Sequence, residues 1–95
     1  MRQINFPILL AMMLVASCDS ATGGRAVVTG IGEEEFLKLR AGPSLGYKVV
    51  LGLPEGTPLK RHACVTELGQ LWCKVSLAAA PAVSGYVSAD YLSAP

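Results

Sequence analysis

No segment after residue 20 keeps the three-to-four-residue apolar spacing that an amphipathic helix needs. The chain runs instead in short alternating stretches cut by glycine and proline, with turn signals roughly every 8–12 residues. From Phe36, Leu37 and Leu39 alternate with Lys38 and Arg40, the period of a half-buried strand. Ala41-Gly42-Pro43-Ser44 ends that stretch, and Tyr47, Val49 and Leu51 then alternate with Lys48 and Val50. Leu53-Pro54-Glu55-Gly56-Thr57 reads as a turn, because proline fixes φ and glycine supplies a positive φ. Strands are expected over 58–66 and 71–77, joined by a turn at Glu67-Leu68-Gly69-Gln70. Residues 26–29 add a short strand ahead of Gly30-Ile31-Gly32, and 85–88 add a last one. Residues 78–84 form a loose connection, since Pro81 brings no ladder donor, and 89–93 have room for one helical turn. The pattern predicts an all-β domain over residues 26–95, a small barrel or sandwich.

The first 25 residues read differently. Arg2 is the only charge before Asp19, residues 8–16 (ILLAMMLVA) are apolar, and Val15-Ala16-Ser17 lead into Cys18. A positive end, a short apolar run and small residues describe a secretory signal. As a helix the apolar run covers about 14 Å against about 30 Å of hydrocarbon, too little to span a bilayer. Val-Ala-Ser-Cys resembles the lipobox of bacterial lipoproteins. That resemblance implies removal of residues 1–17, a diacylglycerol on the Cys18 thiol, and an acyl chain such as palmitate on the new N-terminus. Ordinary signal cleavage with a free Cys18 is the alternative. The expected place is the cell envelope, anchored by lipid to a bacterial membrane and facing the periplasm or the exterior. Asp19 resembles the inner-membrane retention signal of some bacteria. Residues 18–25, with their DSATGGR sequence after the cysteine, are expected to form a short tether.

Within the domain, Leu37-x-Leu39-Arg40-x-Gly42-Pro43-Ser44-x-x-Tyr47-x-Val49 resembles the opening of a bacterial SH3-like (SH3b) domain. Leu53-Pro54-x-Gly56-Thr57, Trp72-x-Lys74-Val75, Gly85-Tyr86-Val87 and Asp90-Tyr91-Leu92 follow in the order of that family. One departure is visible: the usual Gly-Trp-Val near the end is Gly-Tyr-Val. The resemblance implies a compact barrel of five or six strands. It also implies an aromatic-lined groove, with Tyr47, Trp72, Tyr86 and Tyr91 as ligand-binding candidates; the alternative is that these rings close a small core. Trp72 alternates with Cys73 and Val75; if those two point inward, the indole points outward and is expected to be exposed.

Cys64 and Cys73 flank the Glu67–Gln70 turn. A two-residue loop puts them directly opposite each other as a non-hydrogen-bonded pair, with Cα atoms about 4.5 Å apart, close enough for a disulfide. A three-residue loop with a bulge would spoil that register. An exported chain meets an oxidising compartment, and a domain this small gains from a staple. Metal ligation would need more ligands than His62, the only histidine, and no Cys-x-x-Cys supports redox catalysis.

Other chemistry finds little support. Without residues 1–17 the chain carries seven basic and seven acidic side chains, so nothing favours nucleic acid. Glu33, Glu34 and Glu35 are consecutive, unlike a convergent acid and base pair, and His62 is expected on a solvated face. No catalytic residue, cofactor or metal is expected. The expected function is a monomeric, non-enzymatic binding module for peptidoglycan or an extended peptide, held to the membrane by lipid. The competing expectation is a structural accessory docked on an envelope protein complex.

Overall fold

The computed structural model describes residues 24–95. The signal reading of 1–17 and the lipid anchor at Cys18 lie outside the described residues. The elements are β1 (Gly24–Val28), β2 (Phe36–Arg40), β3 (Val49–Pro54), β4 (Pro58–Glu67), β5 (Gln70–Leu77) and β6 (Ser84–Ser88). A 3-10 turn at Ala89–Tyr91 and the two-residue β7 (Leu92–Ser93) complete the chain. The strands form one antiparallel sheet in the order β3-β2-β6-β5-β4-β1-β7. This is the all-β architecture expected, with seven strands. β1 begins at Gly24, so Gly24 and Arg25, expected in the tether, belong to the sheet, where Arg25 pairs with Lys60.

The sheet is rolled. Val28 from β1, Leu37 and Leu39 from β2, Leu53 from β3, Leu59 from β4, Cys73 and Val75 from β5 and Val87 from β6 form one buried cluster. Strands at opposite ends of the sheet order share this core, which a flat sheet would prevent. The β1–β4 ladder continues into the β3–β4 turn: Val28 N–H donates to Thr57 O at 3.1 Å, and Gly56 N–H to Val28 O at 2.8 Å. Each buried leucine contributes about 1.5–3 kcal/mol. At the β2–β6 seam, a Cβ on Gly85 would lie 2.6 Å from the Arg40 carbonyl oxygen and 2.8 Å from Leu39 Cγ. Only glycine lets these backbones approach so closely.

The β4–β5 hairpin turns on Leu68 and Gly69, with φ of 52° and 80°. Two central residues with positive φ make the tight turn that matches strand twist. Glu67 pairs with Gln70 and Cys64 with Cys73, and the disulfide is formed with a Cα–Cα distance of 3.9 Å. Further down the ladder the register shifts, so that His62 and Ala63 together face Lys74. This bulge lies beyond the cysteines, counted from the turn, and therefore leaves their pairing intact. It also reconciles the two halves of β4, since without it Cys64 would share the outward face of Lys60.

β3 departs from the half-buried strand expected. Val49, Val50 and Leu51 are all exposed, and only Leu53 reaches the core. β3 is the free edge of the sheet, and its first half extends past the core together with the loop that follows β2.

Candidate binding groove

The loop between β2 and β3 forms one wall of a groove. Arg40 Nη1 donates to the carbonyl oxygens of Leu45 and Tyr47, both at 3.1 Å. Ser44 Oγ accepts from Gly46 N–H at 3.1 Å. These bonds fix the loop tip while leaving the Leu45 side chain 74 % exposed. The β4–β5 turn supplies the opposite wall, where Leu68 is 98 % exposed. The 3-10 turn closes a third side with Tyr91. It starts at Ser88, whose Oγ accepts from Asp90 N–H at 3.2 Å and from Gln70 Nε2 at 2.8 Å.

Trp72 lies on the outer face of β5, opposite Ser88. The expected exposure is corrected here: only 6 % of Trp72 meets solvent. Cys73 and Val75 are buried, so the indole does face out of the barrel, but facing out of the barrel is different from facing water. Two open cavities of about 350 and 420 Å³ meet at the ring, and Leu45, Ser88 and Tyr91 line both. The indole is thus the floor between two depressions, absent from the central core cluster.

Of the four aromatic candidates, the structure brings Trp72 and Tyr91 together. Tyr47 and Tyr86 line neither cavity. The Tyr47 ring covers Gly42, where a Cβ would fall 2.5 Å from its Cε1. Tyr86 stands on β6 between Arg40 and Lys74. Sequence reasoning missed Leu45, Leu68 and Phe36. A signal existed for two of them: a leucine beside a glycine at a loop tip occupies a position where Asn, Asp or Ser is usual.

The groove differs electrostatically along its length. Glu35, Lys38 and Arg40 line the cavity that also touches Phe36 and Ile31. Glu67 and Asp90 line the other. The loop carrying Ile31 is held by Glu55, whose carboxylate accepts from the backbone N–H groups of Gly30 (3.1 Å), Ile31 (3.0 Å) and Gly32 (3.3 Å). The Ile31 bond is the chief cause that lowers the Glu55 pKa below its ordinary 4.5. Among the described residues, no three His, Cys, Asp or Glu side chains converge as a metal site.

A small rolled antiparallel sheet with an apolar, loop-walled depression on its outer face is the architecture of a small binding domain. The family model of the bacterial SH3 domain matches residues 35–93, and the chain belongs to that family. Domains of this family are binding modules and generally non-catalytic. β1 lies ahead of the matched segment, which accounts for a strand beyond the number implied by the resemblance. No curated protein and no solved structure gives a significant match.

Proposed function

We propose that the chain is a lipid-anchored, non-enzymatic binding module of the bacterial cell envelope, and that the groove at Trp72 takes peptidoglycan or another extended envelope peptide. The observation that carries this reading is the pair of exposed leucines, Leu45 and Leu68, raised on separate loops on either side of Trp72. Exposed apolar side chains gathered around an aromatic floor favour a partner that covers them. The Lys38/Arg40 end and the Glu67/Asp90 end suit a ligand with both carboxylate and amine groups, as a peptide of the cell wall has. Anchoring at Cys18 would keep the groove next to such a ligand.

Sedimentation with purified, insoluble peptidoglycan tests the reading. Because Trp72 is nearly buried, Trp72→Ala confounds binding with folding. Leu45→Ser and Leu68→Asn are the better variants. The wild type is expected to sediment, and the double variant to remain in solution with its fold intact. Equal sedimentation of both would overturn the groove assignment. Absence of sedimentation, with an envelope protein recovered by crosslinking, would favour the second reading, a structural accessory. One observation supports that alternative: the β3 edge exposes Val49, Val50 and Leu51, and a free strand edge accepts another chain's strand.

A further inference from the structure

A second depression lies on the outer face of the sheet and shares no residue with the two cavities at Trp72. It has a volume of about 540 Å³ and is lined by Lys60, His62, Lys74, Ser76, Pro81 and Ser84. The register explains the gathering. Ser76 on β5 faces Lys60 on one side and Ser84 on the other. Lys74 lies two residues back on the same strand and face. His62 sits at the start of the β4 bulge and reaches diagonally, with Nε2 3.0 Å from Ser76 Oγ. Among the described residues Ser76 is the one polar side chain that is buried, at 6 % exposure. A hydroxyl is therefore held at the base of the depression and two ammonium groups at its rim.

No carboxylate side chain lines this cavity. The acidic residues of the described chain sit elsewhere: Glu33–Glu35 in the β1–β2 loop, Glu55 in the β3–β4 turn, Glu67 at the end of β4 and Asp90 in the 3-10 turn. Lys60 and Lys74 lie diagonally about Ser76 on one sheet face, with no acidic side chain between them. An anion placed between Lys60 and Lys74 would neutralise their charge and accept hydrogen bonds from them. Serine hydroxyls can donate as well, and lysine serves phosphate groups as a point charge. The donors surround the space from three strands, which suits the several oxygens of a tetrahedral group better than the two of a carboxylate.

We propose that this depression is a binding site for a phosphoryl group, as a phosphate monoester or diester. It is independent of the groove reading and stands or falls separately from it. The test follows backbone amide resonances of the full chain, held in maltoside micelles at constant ionic strength, while inorganic phosphate or glycerophosphoglycerol is added. The first probe represents free phosphate, and the second represents the diester of a lipid headgroup. Saturable shifts are expected at Lys60, His62, Lys74, Ser76 and Ser84. The Lys60→Gln/Lys74→Gln variant should lose about tenfold or more in affinity, the loss expected for charged hydrogen bonds. His62→Gln provides a second, milder variant should the double one fail to fold, and it too should bind less tightly. Leu68→Asn, altered only in the groove, should bind phosphate as the wild type does. Tighter binding of one probe assigns the source of the phosphoryl group. Shifts that fail to saturate, that chloride reproduces at the same ionic strength, or that survive unchanged in the folded variants would overturn the proposal.

Discussion

Leu68 combines a left-handed backbone, φ 52°, with a side chain 98 % exposed to water. An L-residue with a bulky side chain loses about 1–2 kcal/mol in that region, and Asn before Gly is the usual solution at such a hairpin. Leu68→Asn is therefore expected to stabilise the domain, by up to about 1 kcal/mol, while weakening groove binding. Thermal unfolding would show the first effect as a rise of roughly 4–8 °C per kcal/mol, and peptidoglycan sedimentation would show the second. A destabilised variant, or one that binds normally, would remove the reason for a leucine there. Glu55 makes a different kind of prediction. Its folded-state pKa is lowered, mainly by the Ile31 N–H bond, so the unfolded chain takes up its proton more readily. Its contribution is present in full above the ordinary value of 4.5 and is lost as pH falls through the lower folded value. Wild type and Glu55→Gln should differ in melting temperature near neutrality and converge in acid. In the variant, amide exchange at Gly30–Gly32 should be faster at neutral pH.

At the scale of elements, the β4–β5 hairpin depends on its staple and the β2–β6 seam on its glycine. The disulfide closes a sequence separation of 9 residues. Replacing both cysteines by serine is expected to cost about 2.5–3 kcal/mol on the chain-entropy account, measured as a shift in the denaturant midpoint. Gly85→Ala would press a methyl group against the Arg40 carbonyl and Leu39. Overpacking of that kind costs about 1–3 kcal/mol, and amide exchange should rise first at Arg40 and Tyr86, which pair across this seam. These elements were legible in the sequence because glycine and proline mark their ends and because the Cys64–Cys73 register follows from a two-residue turn. The exposure of β3 was not legible. Val49, Val50 and Leu51 carry the same alternation whether a strand lies over the core or beyond it, and only the sheet order distinguishes the two. The pairing of β1 with β7 was equally silent, since two residues hold no period. The sequence brought Trp72 and Tyr91 forward as candidates that the fold places together, whereas the loops that cover the indole have no signature in strand periodicity.

For the whole molecule, the rolled sheet determines where an anchor would place each face. β1 starts at Gly24, which pairs with Arg61, and Arg25 pairs with Lys60. Five residues separate Cys18 from Gly24, a reach of at most about 22 Å even when fully extended. Acylation of Cys18 would therefore hold the Lys60 side of the barrel close to lipid headgroups, and would put a phosphodiester within range of the basic depression. Each buried methylene adds about 0.8 kcal/mol, so two or three acyl chains hold a protein on a bilayer essentially permanently. The prediction is that the envelope protein lacks residues 1–17 and carries diacylglyceryl mass, with or without a further acyl group, on Cys18. It rests on the apolar run at 8–16 and on Val15-Ala16-Ser17 before the cysteine. Mass spectrometry of detergent-extracted protein measures it directly. Cys18→Ser should also release the protein from membranes, with the Cys64–Cys73 hairpin intact, because the anchor and the staple use different thiols. Recovery of intact Met1, or of an unmodified Cys18 at the mature N-terminus, would leave the barrel without its tether. Membrane proximity would then no longer explain why one face of the sheet gathers Lys60, His62 and Lys74.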